Sequence, residues 1–381
     1  MLANTPPMGW NSWNTFGANI NEDLIKEVAD AMVEKGLLAA GYEYLVIDDC
    51  WSEKERDENG NLVADHNKFP HGMKAVADYV HSKGLKFGMY SCCGPRTCAD
   101  YPGSMNHEFQ DAAYFDEVGV DFLKYDNCYH PNWSGRVSYN TMSMALRSCK
   151  REILFSMCNW GKENVWEWAR QTGGHMYRST GDIFDKFESV KRLSGSQIAN
   201  LGYSAPGCYN DIDMLICGMG GRGNVGIDNG CTPDQYKYHF ALWCMFMSPL
   251  MIGCDVRSID DDTLALLKNP NLIRINQDEE GRGPQFLHEI SGWQDGYVTF
   301  RYLSDREFTF GFFNSGDKAH DFLLSFEEMG LQRGSGYGFE LTDCFTGKKT
   351  VCDDYVRVPL DAYGCTVFLA KLVKVNELRK L

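Results

Sequence analysis

Two aspartates near the middle of the chain stand beside residues that suit nucleophilic or acid–base chemistry. Asp126 follows Lys124 by two positions, and a neighbouring cation favours the ionised carboxylate that a nucleophile requires. The alternative is that Asp126 is a structural partner of that lysine. Asp182 comes directly after residues 179–181 (STG) and could face Asp126, or it could cap a helix. Two such carboxyl groups, one acting as nucleophile or base and the other as acid, are the smallest catalytic set that hydrolyses a glycosidic bond.

Further charged, amide and aromatic side chains follow other short apolar runs of the sequence. Carboxylates accept hydrogen bonds from hydroxyl groups, Lys and Arg donate to them, and aromatic rings pack against the C–H faces of a sugar. The alternative is a Mg²⁺ or Ca²⁺ site, which Lys124 and Arg178 would oppose, and we predict neither a metal nor another cofactor. The residues in question are Trp13, Asp48, Asp49, Trp51, Tyr90, Asn159, Trp160, Arg178, Asp211, Asp213 and Asp255.

Strand-like and helical patterns alternate as far as about residue 280. Asn21 predicts the start of a helix, and residues 138–150 and 233–247 have helical periodicity. Eight short β-rich runs lie between the helices, at residues 8–10, 44–47, 86–90, 121–125, 153–157, 177–180, 211–216 and 249–253. This pattern predicts an α/β fold, a (β/α)₈ barrel over residues 1–284, whose strand ends would gather the side chains above.

An open doubly wound sheet is the alternative for the same pattern. It would place a glycine-rich phosphate turn after the first strand, and residues 8–13 (MGWNSW) do not form one. The glycine-rich stretch 218–223 follows the seventh strand and is interpreted as a flexible loop. Beyond residue 284, short strands at 297–302, 308–313, 322–326, 338–341, 355–358 and 364–369 predict a C-terminal antiparallel β-sandwich over residues 285–381.

The net charge and the cysteine content indicate which binding partners and which cellular compartment suit the protein. The net charge of −15 disfavours nucleic acid and anionic membrane surfaces as partners. The fifteen cysteines are odd in number and form no C-x-x-C pair, a pattern that favours a reducing compartment. The N-terminal residues resemble no signal peptide. We therefore expect a cytoplasmic protein, or a secreted one if a leader has been removed.

Seven motifs, taken together, resemble glycoside hydrolase family 27, the retaining α-galactosidases. They are residues 8–13 (MGWNSW), 47–51 (IDDCW), 88–90 (GMY), 123–128 (LKYDNC), 177–182 (YRSTGD), 210–214 (NDIDM) and 275–278 (INQD). They occur in the family's order, at the predicted strand ends. The C-terminal β unit also fits the family's usual second domain.

The resemblance implies roles for the matched residues. Asp126 would form a covalent galactosyl-enzyme, and Asp182 would protonate the leaving oxygen and then activate water. The sugar would be contacted by Asp48 and Asp49 at its 4- and 6-hydroxyls, by Lys124 at its 3- and 4-hydroxyls, by Arg178 at its 2-hydroxyl, and by Trp13, Tyr90 and Asp213 around the pocket.

The chain departs from the family pattern at several positions. Asn159 occupies the position that faces the 2-substituent, where the family often has Glu, or Ser in its N-acetylgalactosaminidases. Asn leaves less room than Ser for an acetamide, which favours galactose. Cys50 and Cys158 lack the partners that secreted relatives have, whereas Cys98 and Cys128 match a family disulfide.

We therefore expect a retaining exo-α-galactosidase that acts on small galactosides such as melibiose or raffinose and could form a homo-oligomer. An α-N-acetylgalactosaminidase and a β-L-arabinopyranosidase are the alternatives on the same site. Asp48 and Asp49 are expected to bind the sugar's 6-hydroxyl, which an arabinopyranose does not have. The pair therefore argues against the β-L-arabinopyranosidase. A catalytically inactive sugar-binding protein is a third possibility, which the presence of both Asp126 and Asp182 disfavours.

Overall fold

A computed structural model describes residues 2–290 and 296–375 of the chain. Its first part contains eight parallel strands that hydrogen-bond in the order β7-β6-β5-β4-β3-β2-β1-β8. Their bounds are β1 (Met8–Asn11), β2 (Tyr44–Val46), β3 (Lys86–Cys92), β4 (Phe122–Asp126), β5 (Leu154–Cys158), β6 (Met176–Arg178), β7 (Tyr209–Asp211) and β8 (Leu250–Ile252).

Leu215 bridges the two ends of this sheet. Its amide donates to the carbonyl of Met251 at 2.7 Å, and its carbonyl accepts from the amide of Gly253 at 2.9 Å. The strands therefore curl into the predicted (β/α)₈ barrel, and the open doubly wound alternative is wrong.

In the part of the chain that the structure describes, ten α-helices connect or flank the strands. The side chain of Asn21 accepts a hydrogen bond from the amide of Leu24, as expected of the cap of α2. A capping box at Thr232 with Pro233 in the first turn starts α8. The helices are α1 (Trp13–Phe16), α2 (Glu22–Glu34), α3 (Gly72–Ser82), α4 (Glu108–Val118), α5 (Gly135–Arg147), α6 (Val165–Trp168), α7 (Phe187–Gln197), α8 (Pro233–Met245), α9 (Asp261–Leu267) and α10 (Pro270–Asn276).

The strand register brings the carboxyl ends of neighbouring strands level with one another. Cys92 at the end of β3 pairs with Asp126 at the end of β4. In the same way, Cys158 at the end of β5 pairs with Arg178 at the end of β6. Side chains at these ends, and in the loops just beyond them, therefore share one rim of the barrel.

The C-terminal part is an antiparallel sandwich of two sheets. A six-stranded sheet has the order β14-β13-β16-β11-β10-β9, and β12 pairs with β15. Phe310, Phe339, Phe322 and Val358 belong to one buried cluster between the two sheets. The sequence did not predict β9 or β14. The strands are β9 (Gln285–Ile290), β10 (Gly296–Tyr302), β11 (Glu307–Asn314), β12 (His320–Ser325), β13 (Tyr337–Asp343), β14 (Lys349–Cys352), β15 (Tyr355–Leu360) and β16 (Cys365–Lys374).

An aromatic cluster packs the sandwich against α7 and α8 of the barrel. The ring of Phe187 lies 5.1 Å from those of Tyr238 and Tyr363, and the ring of Tyr238 lies 5.2 Å from that of Phe313. This contact supports the helix that follows the Asp182 loop. Within the described residues, no helix combines the length and the apolar character needed to cross a lipid bilayer.

Candidate active site

A cavity at the carboxyl ends of the strands contains most of the residues predicted to act in chemistry or binding. Trp13 follows β1, and the side chains after it come from the ends of β2 to β7 in turn. The predicted residues that line it are Trp13, Asp48, Asp49, Tyr90, Lys124, Asp126, Trp160, Arg178, Asp182 and Asp213. Five further residues, Asn14, Cys98, Cys158, Met214 and Val225, complete the lining.

Lys124 pairs with Asp48 across this cavity. The Nζ atom of Lys124 lies 2.7 Å from Oδ2 of Asp48, and Nδ2 of Asn11 donates to the same oxygen at 2.8 Å. Asp48 is only 2% exposed, so both donors compensate a carboxylate that water does not reach. The pair fixes a hydrogen-bond acceptor and a cation side by side, as recognition of adjacent hydroxyl groups requires.

Asp49 is held by backbone amides on both sides. Its Oδ1 accepts from the amide of Cys50 at 2.7 Å, and its Oδ2 accepts from the amide of Ala99 at 3.0 Å. Burial raises the pKa of Asp49 to about 6 despite these hydrogen bonds. The structure joins Cys98 and Cys128 in a disulfide with a Cα–Cα distance of 5.1 Å, which ties the segment containing Ala99 to the end of β4.

Asp126 lies at the end of β4 and is 7% exposed. Its Oδ2 accepts from the hydroxyl of Tyr90 at 3.0 Å, and its Oδ1 accepts from the amide of Asn127 at 2.8 Å. Burial raises the pKa of Asp126, and the opposing effect of Lys124 does not outweigh it. Lys124 lowers the pKa of Asp126, as the sequence indicated, but its ion-pair partner is Asp48, and burial of Asp126 outweighs its effect.

Arg178 is shared between Asp182 and Asp213. Its Nη2 lies 2.8 Å from Oδ1 of Asp182 and 2.7 Å from Oδ2 of Asp213. Although partial desolvation raises the pKa of Asp182, the charges of Arg178 and Lys124 lower it overall. For Asp213, burial outweighs Arg178 and raises the pKa to about 7.

Asp213 also holds the loop that carries Asp182. The amide of Ile183 donates to Oδ2 of Asp213 at 2.6 Å, and the amide of Met214 donates to its Oδ1 at 2.7 Å. The φ angle of Asp213 is 96°, a left-handed conformation that is costly for a residue other than glycine. Such a conformation is characteristic of functional sites, and here it lets one carboxylate reach both Arg178 and the Asp182 loop.

Asn159, which the resemblance places next to the 2-substituent, is not among the residues that line the cavity. It is 1% exposed, and its side-chain oxygen and nitrogen have no hydrogen-bond partner among the described residues. Cys158, the last residue of β5, and Trp160 line the cavity, whereas the buried Asn159 between them does not. Trp160 has a φ of 61°, so the chain turns directly after β5, and no pattern in the sequence distinguished Cys158 from Asn159.

One group of potential metal ligands was found among the described residues. Cys98, Asp126 and Cys128 place their ligand atoms within 4.8 Å of one another. The two sulfurs are joined in the disulfide and therefore do not offer thiolates. The cavity instead combines carboxylates, two cations and aromatic rings, which suits a polyhydroxylated neutral ligand.

Comparison with known proteins connects this cavity to a family. Residues 5–278 match the family described as alpha galactosidase A. An α-galactosidase of Cyamopsis tetragonoloba is 43% identical over 373 residues, which are 97% of this chain and 86% of the relative. The crystal structure of α-galactosidase I from Mortierella vinacea aligns with a TM-score of 0.88 and 29% identity over 97% of each chain. The structure of an α-galactosidase from Saccharomyces cerevisiae with raffinose aligns with a TM-score of 0.87 and 26% identity over 98% of each chain. This chain therefore belongs to the α-galactosidase A family, the glycoside hydrolase family 27 that its motifs indicated.

Proposed function

We propose that the protein is a retaining exo-α-galactosidase that removes terminal, non-reducing α-D-galactosyl residues. The observation that carries this proposal is that Asp126 and Asp182 line the same cavity as the buried Asp48–Lys124 ion pair. Two carboxylates provide a nucleophile and an acid, and the ion pair provides hydroxyl recognition next to them.

The reaction proceeds in two displacements. Asp126 attacks the anomeric carbon and forms a covalent galactosyl ester, while Asp182 gives its proton to the leaving glycosidic oxygen. Asp182, now ionised, then takes a proton from a water molecule. That water attacks the anomeric carbon, releases Asp126 as a carboxylate and gives α-galactose. The buried hydroxyl of Tyr90, 3.0 Å from Asp126, stabilises the carboxylate that leaves in this second step.

Arg178 offers a way to adjust the acid when substrate binds. In the free site it lowers the pKa of Asp182, which opposes a role as proton donor. A sugar 2-hydroxyl that accepts from Arg178 competes with Asp182 for the same guanidinium and so weakens the ion pair. The pKa of Asp182 then rises, which favours the protonated form needed for the first displacement.

Galactose selectivity follows from the fixed acceptors at Asp48 and Asp49. Both side chains are buried and held by backbone or side-chain donors, so they accept hydrogen bonds only from hydroxyls in matching positions. A site built to bond a hydroxyl strongly rejects a sugar in which that hydroxyl is displaced. We expect melibiose and raffinose, which end in α-galactosyl units, as substrates.

The test is a panel of p-nitrophenyl glycosides followed by ¹H NMR of the released sugar. We expect turnover of the α-galactoside above that of the α-N-acetylgalactosaminide and the β-L-arabinopyranoside, with α-galactose as the first product. First release of β-galactose would contradict the retaining mechanism. Faster turnover of either other glycoside would establish the corresponding alternative activity, and no turnover of any glycoside would contradict hydrolysis.

A further inference from the structure

A glycine-rich loop lies next to the segment that carries Asp182. Residues 218–231, between β7 and α8, contain the glycine-rich stretch that the sequence led us to interpret as flexible, and we call them the glycine-rich loop. Val225 of this loop lines the cavity. Its amide donates at 3.1 Å to the carbonyl of Asn14, which also lines the cavity. The glycine-rich loop therefore forms part of the cavity wall.

The side chain of Asp185 accepts hydrogen bonds from residues near both ends of the glycine-rich loop. Its Oδ2 accepts from the amide of Gly221 at 2.7 Å, and its Oδ1 accepts from the amide of Cys231 at 3.1 Å. The hydroxyl of Tyr236 in α8 lies 2.9 Å from Oδ1 and 2.8 Å from Oδ2. One carboxylate therefore holds the two ends of the loop together and joins them to α8.

Glycine is required where the loop meets this carboxylate. Gly230 has a φ of 70°, and a Cβ atom there would lie 2.3 Å from Oδ2 of Asp185. Gly221 has a φ of 72°, and a Cβ atom there would lie 2.3 Å from the carbonyl oxygen of Asp228. A larger residue at either position would push the loop away from Asp185. The glycines of this stretch therefore serve a close contact.

The segment that carries Asp182 is attached at two points. The amide of Ile183 donates to Oδ2 of Asp213 at 2.6 Å, and the amide of Asp185 donates to the carbonyl of Val225 at 3.0 Å. The side chain of Asp182 itself is 65% exposed and is bound by Arg178. Its position in the cavity therefore depends on how the backbone on its carboxyl-terminal side is held.

Burial makes the attachment at Asp185 costly to break. Asp185 is 0% exposed, and its donors include two backbone amides and a tyrosine hydroxyl, all of them uncharged. A carboxylate that is removed from water is strongly destabilising unless such donors surround it. Separation of the segment at residues 182–185 from the glycine-rich loop would leave the carboxylate without them, so the two move as one unit.

Resting on the proposed function, we infer that Asp185 is a positioning residue for the acid Asp182. The acid must come within hydrogen-bonding distance of the glycosidic oxygen, and a displacement of about 1 Å can reduce the rate about 100-fold. Asp185 is not among the residues that line the cavity. It therefore acts through the backbone that it joins to the glycine-rich loop, and it does not contact the substrate.

Two substrates that differ in their need for an acid test this inference. Methyl α-galactoside and α-galactosyl fluoride contain the same sugar, but the methoxy group leaves as methanol and takes a proton from the acid, whereas fluoride leaves as an anion. For Asp185→Asn we expect kcat/KM on the methyl galactoside to fall about 10- to 100-fold and kcat/KM on the fluoride to fall less than about 3-fold. This parameter is the right one because it covers only the steps up to the first displacement.

A milder variant removes one donor and leaves the carboxylate in place. Tyr236→Phe keeps the ring and deletes the hydroxyl that contacts both oxygens of Asp185. We expect the same selective loss on the methyl galactoside, about 3- to 10-fold, because the attachment is weakened and not abolished. If thermal melting shows that Asp185→Asn does not fold, Tyr236→Phe alone decides the question.

The matched control is a buried carboxylate that holds a different loop. Asp111 is 1% exposed and accepts from Nη1 and Nη2 of Arg56, both at 2.7 Å. Asp111→Asn should change kcat/KM on the two substrates by the same factor. An unchanged ratio in a folded Asp185→Asn or in Tyr236→Phe overturns the inference, as does an equal shift of the ratio in Asp111→Asn. If the unmodified enzyme cleaves neither substrate, the proposed function itself fails.

Discussion

The ammonium group of Lys124 lies 2.7 Å from the carboxylate of Asp48, and this ion pair connects β4 to the end of β2 inside the barrel. Both side chains are largely removed from water, with 16% of Lys124 and 3% of Asp48 exposed. The pair therefore does two things: it sets the spacing of groups that would read the sugar hydroxyls, and it neutralises a carboxylate that would be costly to bury alone.

Removal of Lys124 should destabilise the fold as well as reduce activity. In Lys124→Met, Asp48 stays buried and loses its cation, and such a change typically costs about 3 kcal/mol or more in the free energy of unfolding. Denaturant unfolding measures this loss in the free energy of unfolding directly. The matched control is the double variant Lys124→Met/Asp48→Asn, whose loss should be smaller than the sum of the two single losses. Additive losses would show that the two side chains do not interact appreciably.

The roles of the two aspartates predict opposite products in the presence of azide. Asp126→Gly should lose at least about 10³-fold in kcat, and azide in the space left by the carboxylate should attack an activated α-galactoside to give β-galactosyl azide. Asp182→Gly should still form the galactosyl-enzyme from an activated substrate, and azide should then give the α-galactosyl azide. NMR distinguishes the anomers. The same anomer from both variants would contradict the assignment.

The barrel and most of its rim could be predicted because they depend on local patterns. Short apolar runs separated by amphipathic helices fix the strand count, and parallel strands deliver their carboxyl ends to one rim. The strand ends were therefore expected to bring five residues together, and all five line the cavity: Asp48, Lys124, Asp126, Arg178 and Asp213. Strands β9 and β14 were missed because they lie at the two edges of the C-terminal sheet, where each pairs with only one neighbour.

Pairing between side chains could not be predicted in the same way. The sequence places Lys124 two residues from Asp126, yet its nearest carboxylate in space belongs to Asp48, 76 positions away. Burial raises the pKa of Asp126, and the charges of Arg178 and Lys124 lower that of Asp182, and both effects are properties of the assembled site. Asn159 does not line the cavity, whereas its neighbours Cys158 and Trp160 do, and the turn at Trp160, with a φ of 61°, could not be read from residue types.

The disulfide between Cys98 and Cys128 should contribute to stability and to the geometry of Asp49. It closes a loop with a sequence separation of 30 residues, for which chain entropy predicts about 3–4 kcal/mol. We expect Cys98→Ser to lower the melting temperature and to raise KM for galactosides, because the amide of Ala99 that binds Asp49 becomes less fixed. Treatment with a reductant should make the unmodified enzyme behave like the variant. Cys149→Ser, at a free and partly buried cysteine, is the control and should change neither quantity appreciably.

Asp213 should make stability depend on pH. Burial raises its pKa to about 7, so between about pH 4 and pH 7 the folded protein retains a proton that the unfolded chain has lost. The stabilisation that this proton provides is fully present below the pKa of Asp213 in the unfolded chain. It is lost as the pH rises through the pKa of Asp213 in the folded protein, and the free energy of unfolding then falls by at most about 1.4 kcal/mol per pH unit. Asp213→Asn should therefore make the decline in the free energy of unfolding between pH 5 and pH 7 less steep. The exposed Asp317→Asn variant should retain the original slope, and an unchanged slope in Asp213→Asn would contradict this origin.

Selectivity against a 2-acetamido group should depend on Cys158 and not on Asn159. Cys158 lines the cavity with its sulfur 3.9 Å from Nη1 of Arg178, the residue expected at the sugar's 2-position, whereas Asn159 is buried and does not line the cavity. Cys158→Ala creates space beside Arg178 and should increase the ratio of N-acetylgalactosaminide to galactoside turnover by about 10-fold, whereas Asn159→Ser should change it by less than about 2-fold. Paired kcat/KM measurements on the two p-nitrophenyl glycosides give the ratio for each variant. If Asn159→Ser shifted the ratio more than Cys158→Ala, Asn159 would have to reach the substrate, and the wall of the cavity would differ from the one described.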